Sequence, residues 1–255
     1  MRAVITGASS GLGRDFARLL HKMGYDLVLV ARRRERMEEL QREFHQSNPR
    51  LTTEVLCLDL AKAESCFQLI RYLEGKPVDV FINNAGFGVF GRFDESDLSK
   101  ELEMLDVNIR AVHILTKRMV QKMEKQGRGY ILNVASSAGF MPGPLLASYY
   151  ASKAYVIRLT HALYEELRRK KSRVSVSVLC PGPVNTEFND RAGVRFAIRG
   201  LNSFYVAAYA LEMLFEKKLT IIPGVEMKAG VALSRFVPTK LLLRITYRIQ
   251  KRKNG

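Results

Sequence analysis

The stretch Arg2-Ala3-Val4-Ile5-Thr6-Gly7-Ala8-Ser9-Ser10-Gly11-Leu12-Gly13-Arg14-Asp15-Phe16 sets a short apolar run before a turn of glycine and serine, which leads into a segment of helical period. Residues 3–5 are apolar without polar alternation, which suits a strand covered on both faces inside a parallel sheet. Gly7 permits the tight turn, Gly11 lets the backbone come close to a ligand, and Gly13 allows close packing of helix on strand. In an open parallel sheet, ligands lie beyond the carboxyl ends of the strands. A phosphate-bearing cofactor is therefore expected here, facing the free N–H groups of the helix start. The spacing is GxxxGxG, which differs from the GxGxxG dinucleotide fingerprint, and no Lys-Ser/Thr pair follows Gly13 as in a P-loop.

The same alternation continues outward. Apolar runs at 3–5, 27–31, 55–58, 78–82, 130–134, 174–179 and 220–222 read as strands. Segments of helical period at 11–23, 34–45, 63–74, 98–126, 149–170 and 203–217 lie between them. Helix stops stand at Gly24, at Asn48-Pro49 and at Gly127-Arg128-Gly129. This order predicts an α/β fold, a Rossmann-like doubly wound parallel sheet of about seven strands with helices on both faces and right-handed crossovers. No repeat or linker splits the chain, so 255 residues read as a single catalytic domain over 1–237 followed by a basic tail over 238–255.

Strand two ends Ala31-Arg32-Arg33-Arg34. An acidic residue near this point would bond the adenine ribose hydroxyls and disfavour a 2′-phosphate; arginines favour one. Arg32 is the residue expected to grip that phosphate with its planar fork, so NADP(H) is favoured over NAD(H). The rest of the run at 33–36 includes an ordinary solvated helix start.

The stretch Ser148-Tyr149-Tyr150-Ala151-Ser152-Lys153 offers two tyrosines to one lysine. Residues three and four apart share a helix face, so Lys153 can reach either, and an ammonium beside a phenol favours the phenolate. Helical geometry alone does not choose between Tyr149 and Tyr150.

With its other motifs, the chain resembles the short-chain dehydrogenase/reductase family, in its branch of about 250 residues. Thr6 to Gly13 is similar to the family's TGxxxGxG turn, Asp59 to its aspartate after strand three, and Asn83-Asn84-Ala85-Gly86 to its NNAG motif. Asn108 matches the helix-four asparagine and Ser136 the serine after strand five. Tyr149 and Lys153 match the YxxxK pair, and Pro181-Gly182-Pro183-Val184-Asn185-Thr186 the PGxxxT motif. The family register selects Tyr149, because Ser136 precedes it by the family interval, and leaves Tyr150 as a packing or pocket-wall residue.

The resemblance implies interconversion of a carbonyl and an alcohol by hydride transfer. Tyr149 would act as general acid/base, with Ser136 holding the substrate oxygen. Lys153 would lower the tyrosine pKa and bind the nicotinamide ribose, and Asn108 would hold a water linking Lys153 to solvent. Cofactor contacts are implied for Gly7, Ser9, Ser10, Gly11, Leu12, Gly13, Arg32, Asp59, Leu60, Asn84, Ala85, Gly86, Tyr149, Lys153, Pro181, Gly182, Val184 and Thr186. For Asn108 the plainer reading is a helix-interior amide bonded to nearby backbone. The segment at 187–196 has the composition of a closing lid, and Phe188 and Phe196 join Phe87, Phe90, Phe140 and Met141 as candidates for the wall of an apolar substrate pocket. A fold-retaining NADP(H) sensor or membrane-surface binder with little catalysis is the alternative.

Forty-one Lys and Arg against 25 Asp and Glu leave a net +16, which attracts anions without choosing among them. No nucleic-acid module stands out, so no specific nucleic-acid partner is expected. Lys228, Arg235, Lys240, Arg244, Arg248, Lys251, Arg252 and Lys253 supply half of the net charge, and no acidic residue follows Glu226. From Pro238 the chain reads as a basic amphipathic helix with Leu241, Leu242, Ile245 and Ile249 on one face. That face is expected to pack on protein, with a peripheral membrane contact as the alternative. Cys57, Cys66 and Cys180 lack metal-ligand spacing and read as buried free thiols. Neither a secretory signal nor an apolar span is evident, so a cytoplasmic protein is expected. The resemblance implies a homodimer or homotetramer built on the helices at 98–126 and 149–170.

Overall fold

The computed structural model describes residues 1–187 and 200–251. Strands β1 (Arg2–Thr6), β2 (Asp26–Ala31), β3 (Thr53–Cys57), β4 (Val80–Asn83), β5 (Gly129–Val134) and β6 (Val174–Leu179) are joined in one parallel sheet by β9 (Thr220–Ile221). The order is β3-β2-β1-β4-β5-β6-β9, so the direction of winding reverses between β1 and β4. Two short strands, β7 (Val184–Asn185) and β8 (Leu201–Asn202), pair with each other outside that sheet.

Because side chains of a strand point alternately to its two faces, each strand feeds two cores. Ile5, Leu29 and Ile82 meet Phe16 and Leu20 of α1 (Gly11–Lys22), Met37 and Phe44 of α2 (Arg34–Ser47), and Ala210 and Leu214 of a later helix. Val4, Val28 and Phe81 meet Leu69 of α3 (Ala63–Tyr72) on the other face. This double covering is why the strands read as continuous apolar runs. β3 lies at the sheet edge and is only partly buried. Cys57 at its end is exposed, which corrects the expectation of three buried thiols; Cys66 and Cys180 are buried, and all three are free.

The long helix expected at 98–126 spans those residues without a gap, with one irregular turn inside it. Asp97 caps α4 (Leu98–Leu105), accepting from the Ser99 and Lys100 N–H groups. A π-helical turn (Asp106–Ala111) follows before α5 (Val112–Gln126). Asn108 sits in that turn and bonds Phe87, so a tertiary contact holds the widened turn. A 3₁₀ turn (Ser137–Phe140) precedes α6 (Ala147–Arg169), followed later by α7 (Ser203–Phe215), α8 (Val225–Ser234) and α9 (Thr239–Lys251).

A polar network ties the inner strands to α5 and α6. The Asn83 amide donates to Thr116 Oγ1 at 3.0 Å and to Asn133 Oδ1 at 2.8 Å, and Asn133 donates to Thr160 Oγ1 at 3.0 Å. All four side chains are buried, and each is bonded, which removes the cost of burying them. The network fixes the depth of α6, the helix that carries Tyr149 and Lys153, against the sheet.

Candidate active site

The carboxyl ends of the strands open into a cavity of about 410 Å³. At one end, β1 gives way to the glycine turn. Gly7 has φ +66°, and a Cβ there would stand 2.8 Å from Asn84 Nδ2, so this corner accepts only glycine. Gly13 is excluded from the wall: a Cβ on it would meet the Gly7 carbonyl oxygen at 2.2 Å, which makes it a packing residue behind the turn. Ser10 precedes α1 without a side-chain cap bond, and no acidic residue occupies the first turn of that helix. Its start therefore suits an anion.

Gly7, Ser9, Ser10, Gly11, Leu12, Arg32, Asp59, Leu60, Asn84, Ala85, Gly86, Ser136, Tyr149, Lys153, Pro181, Gly182, Val184 and Thr186 all line the cavity. Asn84 also has a structural duty. Its amide donates to the Thr6 and Gly7 carbonyls at 3.0 and 3.2 Å, stapling the end of β4 to the turn after β1. Thr186 stands against Gly11, where a Cβ would approach the threonine Cγ2 to 3.0 Å.

The arginines divide their roles. Arg32 lines the cavity, yet its guanidinium donates to Glu103 Oε1 at 2.6 Å on the exposed rim. Arg33, which the charge run alone did not distinguish, folds across the glycine turn, donating to Ser10 Oγ at 2.7 Å and to Ser9 Oγ at 3.3 Å. It also pairs with Glu187 at 2.8 Å, and Arg36 bonds the same carboxylate. Those two guanidiniums hold the Glu187 carboxyl down at about 2. Two guanidiniums beside a glycine turn and an open helix start suit the phosphates of a dinucleotide.

At the opposite end, α6 and the loop after β5 bring three groups together. Tyr149 is 9% exposed, and its phenol is hydrogen-bonded to Ser136. Ser136 Oγ also accepts from the Ala138 N–H at 3.2 Å and donates to the Pro181 carbonyl at 3.4 Å, which links the serine to the loop after β6. Lys153 Nζ donates to the Val134 carbonyl at 3.0 Å and lies 5.8 Å from the centre of the Tyr149 ring.

Burial governs the electrostatics here. It raises the Tyr149 phenol above its ordinary value, with the Ser136 hydrogen bond pulling the other way, and it drives the Lys153 ammonium down to about 8. The sequence-based expectation that Lys153 lowers the tyrosine pKa is thus not the dominant effect. The ammonium is turned to a backbone carbonyl, and desolvation of the phenol prevails.

Asn108 lies behind the wall, fully buried, with Nδ2 donating to the Phe87 carbonyl at 2.9 Å and to Ser152 Oγ at 3.1 Å. Its Oδ1 accepts from the Phe87 N–H at 3.2 Å. This is the backbone-bonding amide of the plainer reading. The same Oδ1 would lie 2.8 Å from a Cβ on Gly86, and Lys153 Nζ 3.2 Å from it, so Asn108 and the lysine adjoin the same glycine.

Tyr150 forms a side wall. Its ring meets Tyr149 edge-on at 6.2 Å, Gly143 packs flat against it, and Gln250 of α9 donates to its hydroxyl. Phe87, Met141, Leu146, Met227 and Ile249 complete an apolar side. Of the aromatics expected there, Phe90 packs instead with Met104 and Leu146, and Phe140 with Val156 and Ile157. Phe188, Phe196 and the lid segment beyond Glu187 lie outside the described residues. Met227 and Ile249 belong to α8 and α9, and the sequence reading carried no signal for their place in the wall.

Comparison with known proteins follows the same lines. The model of the short chain dehydrogenase family matches residues 1–194. A very-long-chain 3-oxoacyl-CoA reductase from Anas platyrhynchos is 34% identical over 173 residues, which are 66% of this chain and 55% of that protein. The chain thus spans little more than half the length of that curated relative. A short-chain dehydrogenase from Sphingobium yanoikuyae in complex with NADPH superposes with a TM-score of 0.84 at 28% identity, covering 92% of this chain and 93% of the other. A short-chain dehydrogenase/reductase from Burkholderia phymatum in complex with NAD gives 0.82 at 28% identity, covering 91% of each chain.

Proposed function

Because this chain belongs to the short-chain dehydrogenase/reductase family, we propose that it is an NADP(H)-dependent oxidoreductase that interconverts a carbonyl and an alcohol, with Tyr149 as the proton-transfer group. The observation that carries this reading is the meeting of Ser136, Tyr149 and Lys153 on the wall of a cavity whose other end holds the glycine turn and Arg33. A nicotinamide cofactor, when bound, supplies or accepts the hydride. Everything else falls to the protein's own side chains.

The glycine turn and the start of α1 hold the diphosphate. Arg33, assisted by Arg32, holds a 2′-phosphate, which is the basis for favouring NADP(H); among structural relatives one carries NADPH and another NAD. Asp59 lines the adenosine side, while Thr186 and the backbone of 181–184 flank the nicotinamide side. A phenol whose pKa is raised by burial stays protonated at neutral pH, the state in which it can give its proton to a carbonyl oxygen. Ser136 donates a second hydrogen bond to that oxygen as it gains charge. Lys153, with its pKa near 8, is the group through which the lost proton is replaced, and Asn108 positions the backbone of 86–87 beside it.

The apolar side formed by Phe87, Met141, Leu146, Met227 and Ile249 supports an apolar carbonyl substrate. Exposed Leu98 and Leu102, one turn apart on α4, support assembly into a homodimer or homotetramer through that helix. Among the described residues, no helix is long and apolar enough to cross a membrane.

The test is loss of reduced-cofactor absorbance when the protein is mixed with NADPH and a panel of apolar ketones and aldehydes. Turnover that Tyr149→Phe abolishes is the expected result. Tight NADPH binding without turnover on any of them would instead establish the cofactor-sensing alternative.

A further inference from the structure

Helix α9 is seated on the protein by its less apolar side. Thr246 and Gln250 face inward and are buried, and Gln250 is tied to the Tyr150 hydroxyl. Of the apolar face expected from sequence, Leu242 is half-buried, while Leu241, Ile245 and Ile249, spaced by one turn, remain 50, 41 and 43% exposed. The sequence leads one to expect this stripe to be covered by protein. The Gln250 anchor sets the rotation of the helix and leaves the stripe outside. Leu233 near the end of α8 and Phe236 in the turn before α9 are more open still, at 65 and 85%. Scattered exposed leucines need no explanation, but a stripe that follows a helix does.

The flank of the stripe identifies what covers it. Lys240, Arg244, Arg248 and Lys251 are exposed along α9, and none forms an ion pair with a described carboxylate. No acidic residue follows Glu226 to neutralise them. Two copies of this face would set cations against cations, which disfavours self-association. A row of cations beside an apolar stripe is what a helix lying in a membrane interface presents, with the stripe at the acyl boundary and the long basic side chains reaching headgroup phosphates.

We propose that α9, with Phe236 at its approach, docks the protein on an anionic lipid surface. Ile249 belongs both to the stripe and to the wall of the site cavity, so docking sets that wall at the lipid boundary. The docking stands independently of the oxidoreductase reading, because its test needs no turnover.

The full chain is sedimented with vesicles of phosphatidylcholine alone and of phosphatidylcholine with phosphatidylglycerol. Binding is expected only to the anionic vesicles and should weaken as salt is raised. The charge reversal Arg244→Glu with Arg248→Glu should reduce it ~10-fold or more, and Leu241→Ser with Ile245→Ser should reduce it comparably. Circular dichroism and NADPH binding are expected to match the parent chain. Should the apolar variant misfold, the charge reversal at the exposed Arg244 and Arg248 decides alone. Equal binding to both vesicle types, no binding, or binding that survives the charge reversal each overturns the proposal. So does a dimer that these same substitutions dissociate, since that would assign the stripe to a second copy.

Discussion

The two ends of the site cavity are made of different material. The proposed cofactor end consists of strand-to-helix turns held by backbone geometry: Gly7 in a conformation closed to other residues, Asn84 stapled to β1, and Arg33 laid over Ser9 and Ser10. The proposed substrate end is assembled from side chains of elements far apart in the chain, with Tyr150 set between Gly143 and Gln250, and with Met227 and Ile249 reaching in from α8 and α9. Backbone-built surface tolerates few residue types, whereas side-chain-built surface changes shape with any one substitution. The contrast predicts that substitutions at the glycine turn disturb cofactor binding, while substitutions among Phe87, Met141, Leu146, Tyr150, Met227 and Ile249 alter the choice of substrate.

The largest effect should come at the end of the cavity away from the glycine turn. Tyr149→Phe is expected to lower kcat by ~10³-fold while leaving NADPH affinity, read by fluorescence titration, within a factor of two or so. A comparable loss of NADPH affinity would show that the phenol belongs to the cofactor end instead. Next in size, Arg33→Ala combined with Arg32→Ala should weaken NADPH binding by roughly 10- to 100-fold and leave NADH nearly untouched. Equal weakening of both cofactors would move these guanidiniums from the 2′-phosphate to the shared diphosphate.

At the substrate end, Gln250→Leu removes one hydrogen bond worth about 1 kcal/mol. It should raise KM for an apolar ketone by a few-fold while kcat and NADPH affinity hold; a change in NADPH affinity would blur the division between the two ends. A further effect, read on stability and not on turnover, concerns pH. Burial holds the Lys153 ammonium at about 8 instead of 10.5 in the folded chain. Below pH 8 the amine is charged in both folded and unfolded states and carries its full burial penalty. Above 8 only the unfolded chain keeps the proton, so stability rises with pH until unfolded tyrosines ionise near pH 10. Thermal unfolding at stepped pH should show that rise in the parent chain and a flatter profile in Lys153→Met. Parallel profiles would mean the amine is solvated.

What could be read from sequence follows the same division. Strands buried on both faces announce themselves as unbroken apolar runs, and β1, β2, β4, β5 and β6 lie within a few residues of the expected positions. The Ser136, Tyr149 and Lys153 set could be picked out only through the family resemblance, since helical spacing alone left Tyr149 and Tyr150 equal, whereas the glycine turn was legible because it joins a strand end to a helix start. The π-helical turn was not, because Asn108 bonds Phe87 across the fold, and nothing in residues 98–126 reports that partner. Arg32 was singled out of its run from sequence, yet it is Arg33 that turns toward Ser10 while Arg32 turns toward Glu103, because a run of three arginines does not state which guanidinium faces the turn. Helix α8 has no clear apolar stripe, and with one fully buried side chain, Val231, it offers little periodicity to detect.

The strand order also bears on how the chain comes together as it is synthesised. Ala3 lies between Leu27 and Val80 in the finished sheet, so β1, which precedes both of its neighbours in the chain, is a central strand. It can zip to β2 early, but its other edge waits until β4 emerges, and β6 receives Thr220 only after α7 has followed it. Until then an apolar ribbon stands with open hydrogen-bonding groups, a species that seeks any strand within reach. Expression with a holdase chaperone present should therefore raise the soluble yield of this protein more than it would for a helical bundle of the same size.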